Sequence, residues 1–122
     1  MEAYYDQKPD VLQAAGNGSY LYRYNIEEVT QEQENETISQ WKCEEVRVWA
    51  PLSANKIVAA VLTDKWAVNS EQKYQNEYNA AQMGIYDEAT AAEKVEAYKT
   101  FLSERAKLKA AVESDCEALG VK

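Results

Sequence analysis

The stretch VRVWAPLSANKIVAAV, residues 46–61, changes character at its middle. Val46, Val48 and Trp49 suit a strand. Pro51 then has no N–H to give a ladder, so the sheet is expected to end there. From Leu52 to Val61 the chain is mostly apolar, with a single charge at Lys56. Ser53 is a fitting N-cap, because its hydroxyl can accept from a free backbone N–H of the first turn. Ile57 and Val61 lie one turn apart, as do Val58, Leu62 and Trp66, which gives a short helix a wide apolar face. The run is six residues at its longest, 57–62, far below the ~20 needed to span a bilayer. The stretch is therefore the joint at which a sheet hands over to helices that lie on it.

Upstream of the joint the pattern is period two. Gly16-Asn17-Gly18 supplies residues that tolerate positive φ, as a tight hairpin requires. After it Tyr20, Tyr22, Tyr24 and Ile26 alternate with Leu21, Arg23 and Asn25, a strand with one aromatic face. Residues 27–40, EEVTQEQENETISQ, hold five glutamates and no base, which reads as an exposed loop and a solvated strand end. In the next strand, ISQWKCEEVRVW, Trp41 and Cys43 have one parity and Val46 and Val48 the other. Either a bulge lies near Glu44-Glu45 or both faces are covered, and the bulge is preferred.

Downstream, SEQKYQNEYNAAQM predicts a helix capped by Asn69 or Ser70 and ended by Gly84. Thr90-Ala91-Ala92-Glu93 fits a capping box. Beyond it Val95, Tyr98, Phe101, Leu102, Leu108, Val112, Cys116 and Leu119 recur every three or four residues, with a gap at Arg105, up to Gly120. At 1.5 Å per residue this helix would be roughly 45 Å long. That exceeds what one small sheet covers, so part of its stripe is expected to pack on the second helix or on another copy of the chain. The fold class expected is α+β, one domain over 1–122. A three-stranded antiparallel meander (about 10–50, within a β-rich half 1–52) packs with helices near 53–66, 70–83 and 90–119 in a helical half, 53–122.

The chain has 122 residues and a net charge of −8, which speaks against nucleic acid or an anionic membrane as partner, since phosphate binding needs Lys/Arg patches. Residues 1–52 carry ten acids against four bases, so the sheet half is the acidic end. The chain has no histidine, which removes the Ser-His-Asp and Cys-His routes and the commonest metal ligand. Cys43 and Cys116 have no C-x-x-C spacing and are expected to be free thiols of a cytoplasmic protein. The glutamates lack the alternating Asp/Asn pattern of a calcium loop and are better read as an edge that resists aggregation. No phosphate loop is present. No cofactor, metal site or catalytic residue is expected, and an enzyme is not the reading.

The aromatics are the more informative set. Tyr20, Tyr22, Tyr24, Trp41, Trp49, Tyr98 and Phe101 form the candidate interaction surface. Tyr and Trp are enriched at protein interfaces, although paired tyrosines are also ordinary sheet surface. The helical segment AYKTFLSERAKLKAAVESD, with Tyr98, Phe101, Arg105 and Leu108 in register, resembles the C-terminal helix of phage and prophage tail-fibre-assembly-type proteins. EAYKTFLSER lacks the tryptophan of that family's W-[KR]-x-Y/F-R core. The resemblance implies a non-enzymatic assembly role, virion-associated if the chain is phage-derived. The expectation is a non-catalytic protein-interaction or assembly module with a protein partner and a helix-mediated homodimer. The alternative is a small-ligand or carbohydrate binder using aromatics at the sheet–helix junction.

Overall fold

The computed structural model describes the backbone of residues 1–122 and every side chain except that of Gln33. Its elements in chain order are β1 (Glu2–Tyr5), β2 (Leu12–Ala14), β3 (Ser19–Gln33), β4 (Glu36–Trp49), α1 (Ala54–Lys65), α2 (Val68–Gln82) and α3 (Glu88–Leu119). The class is α+β, as expected, but the antiparallel sheet has four strands in the order β1-β4-β3-β2. β2, β3 and β4 make the expected meander. β1, hidden in the short EAYY segment, adds a fourth strand outside β4.

β3 and β4 form one long hairpin. The acidic segment expected to be an exposed loop and a solvated strand end is strand almost throughout, with pairing up to Gln33↔Glu36. Only Glu34 and Asn35 turn, at φ 45° and 72°. Two successive positive-φ residues match the right-handed twist of the flanking strands. At the opposite end of β3, Asn17 Oδ1 accepts from the Ser19 N–H (3.2 Å), and Gly18 takes φ 85°.

The bulge is real, but it sits on β3 rather than at Glu44-Glu45. Tyr24 faces Glu44 and Glu27 faces Lys42, so β3 has one residue more than β4 across this interval. Asn25 takes φ 53°, a left-handed conformation that Asn tolerates better than most residues. The conflicting parity of β4 has the other explanation: both its faces are covered. Val46 and Val48 join Tyr22 and Tyr24 beneath the helices, while Cys43 is buried on the opposite face.

That opposite face is closed by the β1–β2 connector. β1 and β2 lie on opposite edges of the sheet, so the chain from Asp6 to Val11 must cross from one to the other. Arg23, only 2 % exposed, holds it down. Its guanidinium donates to Glu45 (2.8 Å), the Tyr5 hydroxyl (3.1 Å), Gln13 (2.8 Å) and the Asp10 carbonyl (3.0 Å). A buried guanidinium is tolerable when its donors are satisfied and a carboxylate pairs with it.

The core lies between the helix-side face of the sheet, α1 and the C-terminal half of α3. Ile57, Val58, Val61 and Leu62 of α1 meet Tyr22, Tyr24, Val46, Val48, Val112 and Cys116. Ser53 caps α1 as expected, accepting from the Lys56 N–H (3.3 Å). Trp66, half-buried, packs against this core as expected and also meets Phe101 edge-on, with centroids 5.4 Å apart. The other two caps differ from expectation. α2 begins after Ala67, with no side-chain cap. α3 begins after Asp87, whose Oδ1 accepts from the Thr90 N–H (2.7 Å). A carboxylate at this position also meets the positive end of the helix dipole. That bond holds the Asp87 carboxyl below its ordinary value.

The stripe of α3 is divided. Its C-terminal half serves the core, and its N-terminal half is covered by α2 through the stacked pair Tyr74–Phe101 (4.8 Å) and the tilted pair Tyr78–Tyr98 (4.7 Å). Phe101 is 6 % exposed and Val112 1 %. Gly120 at φ 74° ends the helix, with Val121 N–H on the Cys116 carbonyl.

Candidate interaction surface

The seven aromatics singled out from the sequence do not form one surface. Tyr22 is fully buried and Tyr24 is 5 % exposed. Tyr20 is half-buried on the same side of the sheet. Trp41 lies on the connector side, where Lys8 Nζ stands 5.7 Å above its ring. Trp49, at the end of β4, is 56 % exposed. Tyr98 and Phe101 belong to the α2–α3 aromatic cluster.

The two core tyrosines act as struts between layers. Tyr22 donates to Asp115 Oδ2 of α3 (2.5 Å), and Tyr24 donates to Asp64 Oδ2 of α1 (2.8 Å). Burial, followed by these acceptors, raises the pKa of both phenols well above the ordinary value. Cys43 and Cys116 are buried and unbridged. One lies on the connector face and the other under the helix face, so the sheet itself separates them. Burial pushes both thiols up, away from the reactive thiolate. Among the described residues, no group of three or more His, Cys, Asp or Glu is placed to hold a metal ion. No helix among them is long and apolar enough to cross a membrane.

What does reach solvent is the distal part of the β3–β4 hairpin. β1 pairs only with residues 41–44 and β2 only with residues 20–22. From Glu27 to Gln40 the hairpin is therefore a two-stranded ribbon, exposed along nearly its whole length. The bulge at Asn25 decides which side chains share a face. Before it, even-numbered residues of β3 face the helices; beyond it, odd-numbered ones do. Glu28, Thr30 and Glu32 consequently lie on the connector side with Trp41, Ser39 and Thr37. Val29 and Gln31 lie on the helix side with Gln40 and Ile38. Ser39 Oγ donates to Glu28 across the strands.

At the base of the ribbon, a cavity of about 170 Å³ opens between β3 and α3, lined by residues including Tyr24, Ile26, Leu108, Ala111 and Val112. A shallow depression of about 390 Å³ continues it past Asn25 toward Trp66 and Lys107. The sequence disclosed the charge of the ribbon. It hid the ribbon's form, because glutamate-rich segments are depleted in strands and read as loop. The Asn35 turn was the one local signal that could have revealed it.

Comparison of the sequence with models of known families and with curated proteins, and of the fold with solved structures, finds no match.

Proposed function

We propose that the chain is a non-catalytic interaction module that presents the acidic ribbon, residues 27–40, to a protein partner. The observation that carries this reading is the ribbon's projection past both edge strands, with five glutamates and no base. An isolated two-stranded ribbon is marginally stable in water, and like charges along it cost further stability. A chain that maintains one outside its core gains nothing from it in folding, whereas a basic partner would relieve the charge and bury the edges. The buried ionisable groups serve the core instead: the two phenols are engaged by Asp115 and Asp64, and both thiols are held in their unreactive form. An assembly role in a prophage-encoded structure, as the α3 resemblance implies, is one setting for such a module.

A photo-crosslinking residue placed at Thr30 in the native host tests the reading, with Asn76 on the exposed side of α2 as the control position. A discrete adduct is expected from position 30 alone. It should be lost when Glu27, Glu28, Glu32, Glu34 and Glu36 are all replaced by Gln, and weakened by salt. An adduct that forms equally from Asn76, or survives neutralisation of the ribbon, would overturn it.

A further inference from the structure

The ribbon leaves one backbone edge open, and a cavity beside α3 lies at the base of that edge. We infer that the partner adds an extended, basic segment as a fifth strand along the free edge of β3, from Ile26 to Glu32, a reading that rests on the ribbon being the contact element.

The lane is vacated by β2. That strand pairs with Tyr20–Tyr22, and the Arg23 N–H reaches the Val11 carbonyl (2.8 Å). There the chain leaves across the connector face, where the Asp10 carbonyl is bound by Arg23. Beyond Arg23, among the described residues, β3 pairs with β4 alone. Pairing alternates from the hydrogen-bonded pair that closes the two-residue turn, Gln33↔Glu36. Gln31 and Val29 therefore bond to β4, while Glu28, Thr30 and Glu32 direct their N–H and C=O groups into the empty lane. An incoming strand would satisfy these groups with main-chain bonds, the basis of affinity in strand addition.

The two faces of the lane differ, and this fixes the chemistry of the segment. On the helix side, past Glu27, lies the cavity lined by Tyr24, Leu108 and Ala111 at the base of the lane. On the connector side lie the carboxylates of Glu28 and Glu32. A strand with small apolar residues at one parity and Lys or Arg at the other fits both faces, since successive side chains point to opposite sides. A second copy of the ribbon is the wrong occupant, because it would set glutamates beside glutamates.

The probe is a short synthetic peptide of alternating Lys and Val, compared with an all-Lys-and-Gly peptide of equal charge. Binding to the full chain is followed by amide chemical shifts and hydrogen exchange. The Lys–Val peptide is expected to bind saturably and to protect the Glu28, Thr30 and Glu32 amides. The critical variant is Thr30→Pro, which removes only an outward N–H and so leaves the β4 ladder intact. Losing one main-chain bond and meeting the ring should weaken binding roughly fivefold to tenfold. Thr37→Pro, the equivalent change on the β4 edge, should leave affinity unchanged. Unchanged amide shifts in α1 and α3 establish that each variant is folded. If Thr30→Pro and Thr37→Pro weaken binding alike, or neither does, the fifth strand is wrong. If both peptides bind equally without protecting the edge, the ribbon remains an acidic contact but strand addition is overturned. If neither peptide binds and ribbon neutralisation changes nothing, the ribbon reading falls as well.

Discussion

Tyr22 and Tyr24 show how one residue type can carry two roles at once. Each ring fills core volume, and each hydroxyl reaches a carboxylate on a different helix. Their periodicity was plain in the sequence, but their acceptors lie 93 and 40 positions away in the chain, beyond any local pattern. Replacing either by Phe keeps the packing and removes the bond, so chemical denaturation should register a loss of about 1 kcal/mol. The pH dependence has a definite sign. A phenol whose folded pKa is raised binds its proton more tightly in the native state than in the unfolded one. The resulting stability is complete below the ordinary value near 10 and is lost as pH rises above it. Ultraviolet titration should show these two phenols ionising only as the chain unfolds. Their ionisation in a fully native protein near pH 10 would contradict the strut geometry.

Among the elements, α1 was legible because cap, spacing and Pro51 all agree, and local agreement of this kind is what a well-specified segment supplies. Leu62 is 7 % exposed within the core, so Leu62→Ala should lower unfolding free energy by about 2–5 kcal/mol. An unchanged denaturation midpoint would rule out the packing of α1 on the sheet. The ribbon was not legible as an element, since its glutamates argued for solvent and its strand pairing comes from the turn and from the hairpin below it. Hydrogen exchange should separate its two halves. Amides of Tyr22 and Val46 are expected to exchange only with global unfolding, whereas Val29 and Gln31, though paired, should open locally and far faster. Equal protection along the whole hairpin would mean that the ribbon is covered in solution.

For the molecule as a unit, the length of α3 suggested a second chain, and the fold removes that reason. Phe101 and Val112 are buried within one chain, Leu108 is half-buried, and Leu119 at the very end is 45 % exposed. The burial worth ~25 cal/mol per Å² is largely satisfied internally. Light scattering over a concentration series should therefore return the mass of one chain. A stable dimer would point to a surface other than the α3 stripe. The net charge of −8, concentrated toward the sheet half, makes like-charge repulsion between copies strongest where the ribbon edges are open.

The class, the order of sheet and helices, the Pro51 joint and the spacing of the core-facing residues of α1 could all be read from the chain before it folds. These depend on local chemistry: a missing N–H, a hydroxyl at an N-cap, and side chains repeating at the period of their own backbone. Folding was needed to bring β1 to β4, and to close the second face with the connector and Arg23. It was needed too for the extra residue at Asn25 to turn Glu28 and Glu32 away from the helices, and for α2 to cover half of α3. Most of these are pairings between segments far apart in the chain. A four-residue strand has too little pattern to declare itself, and a bulge reverses parity without altering composition. A buried arginine becomes intelligible only when its four acceptors, drawn from β1, β2, β4 and the connector, are brought to it.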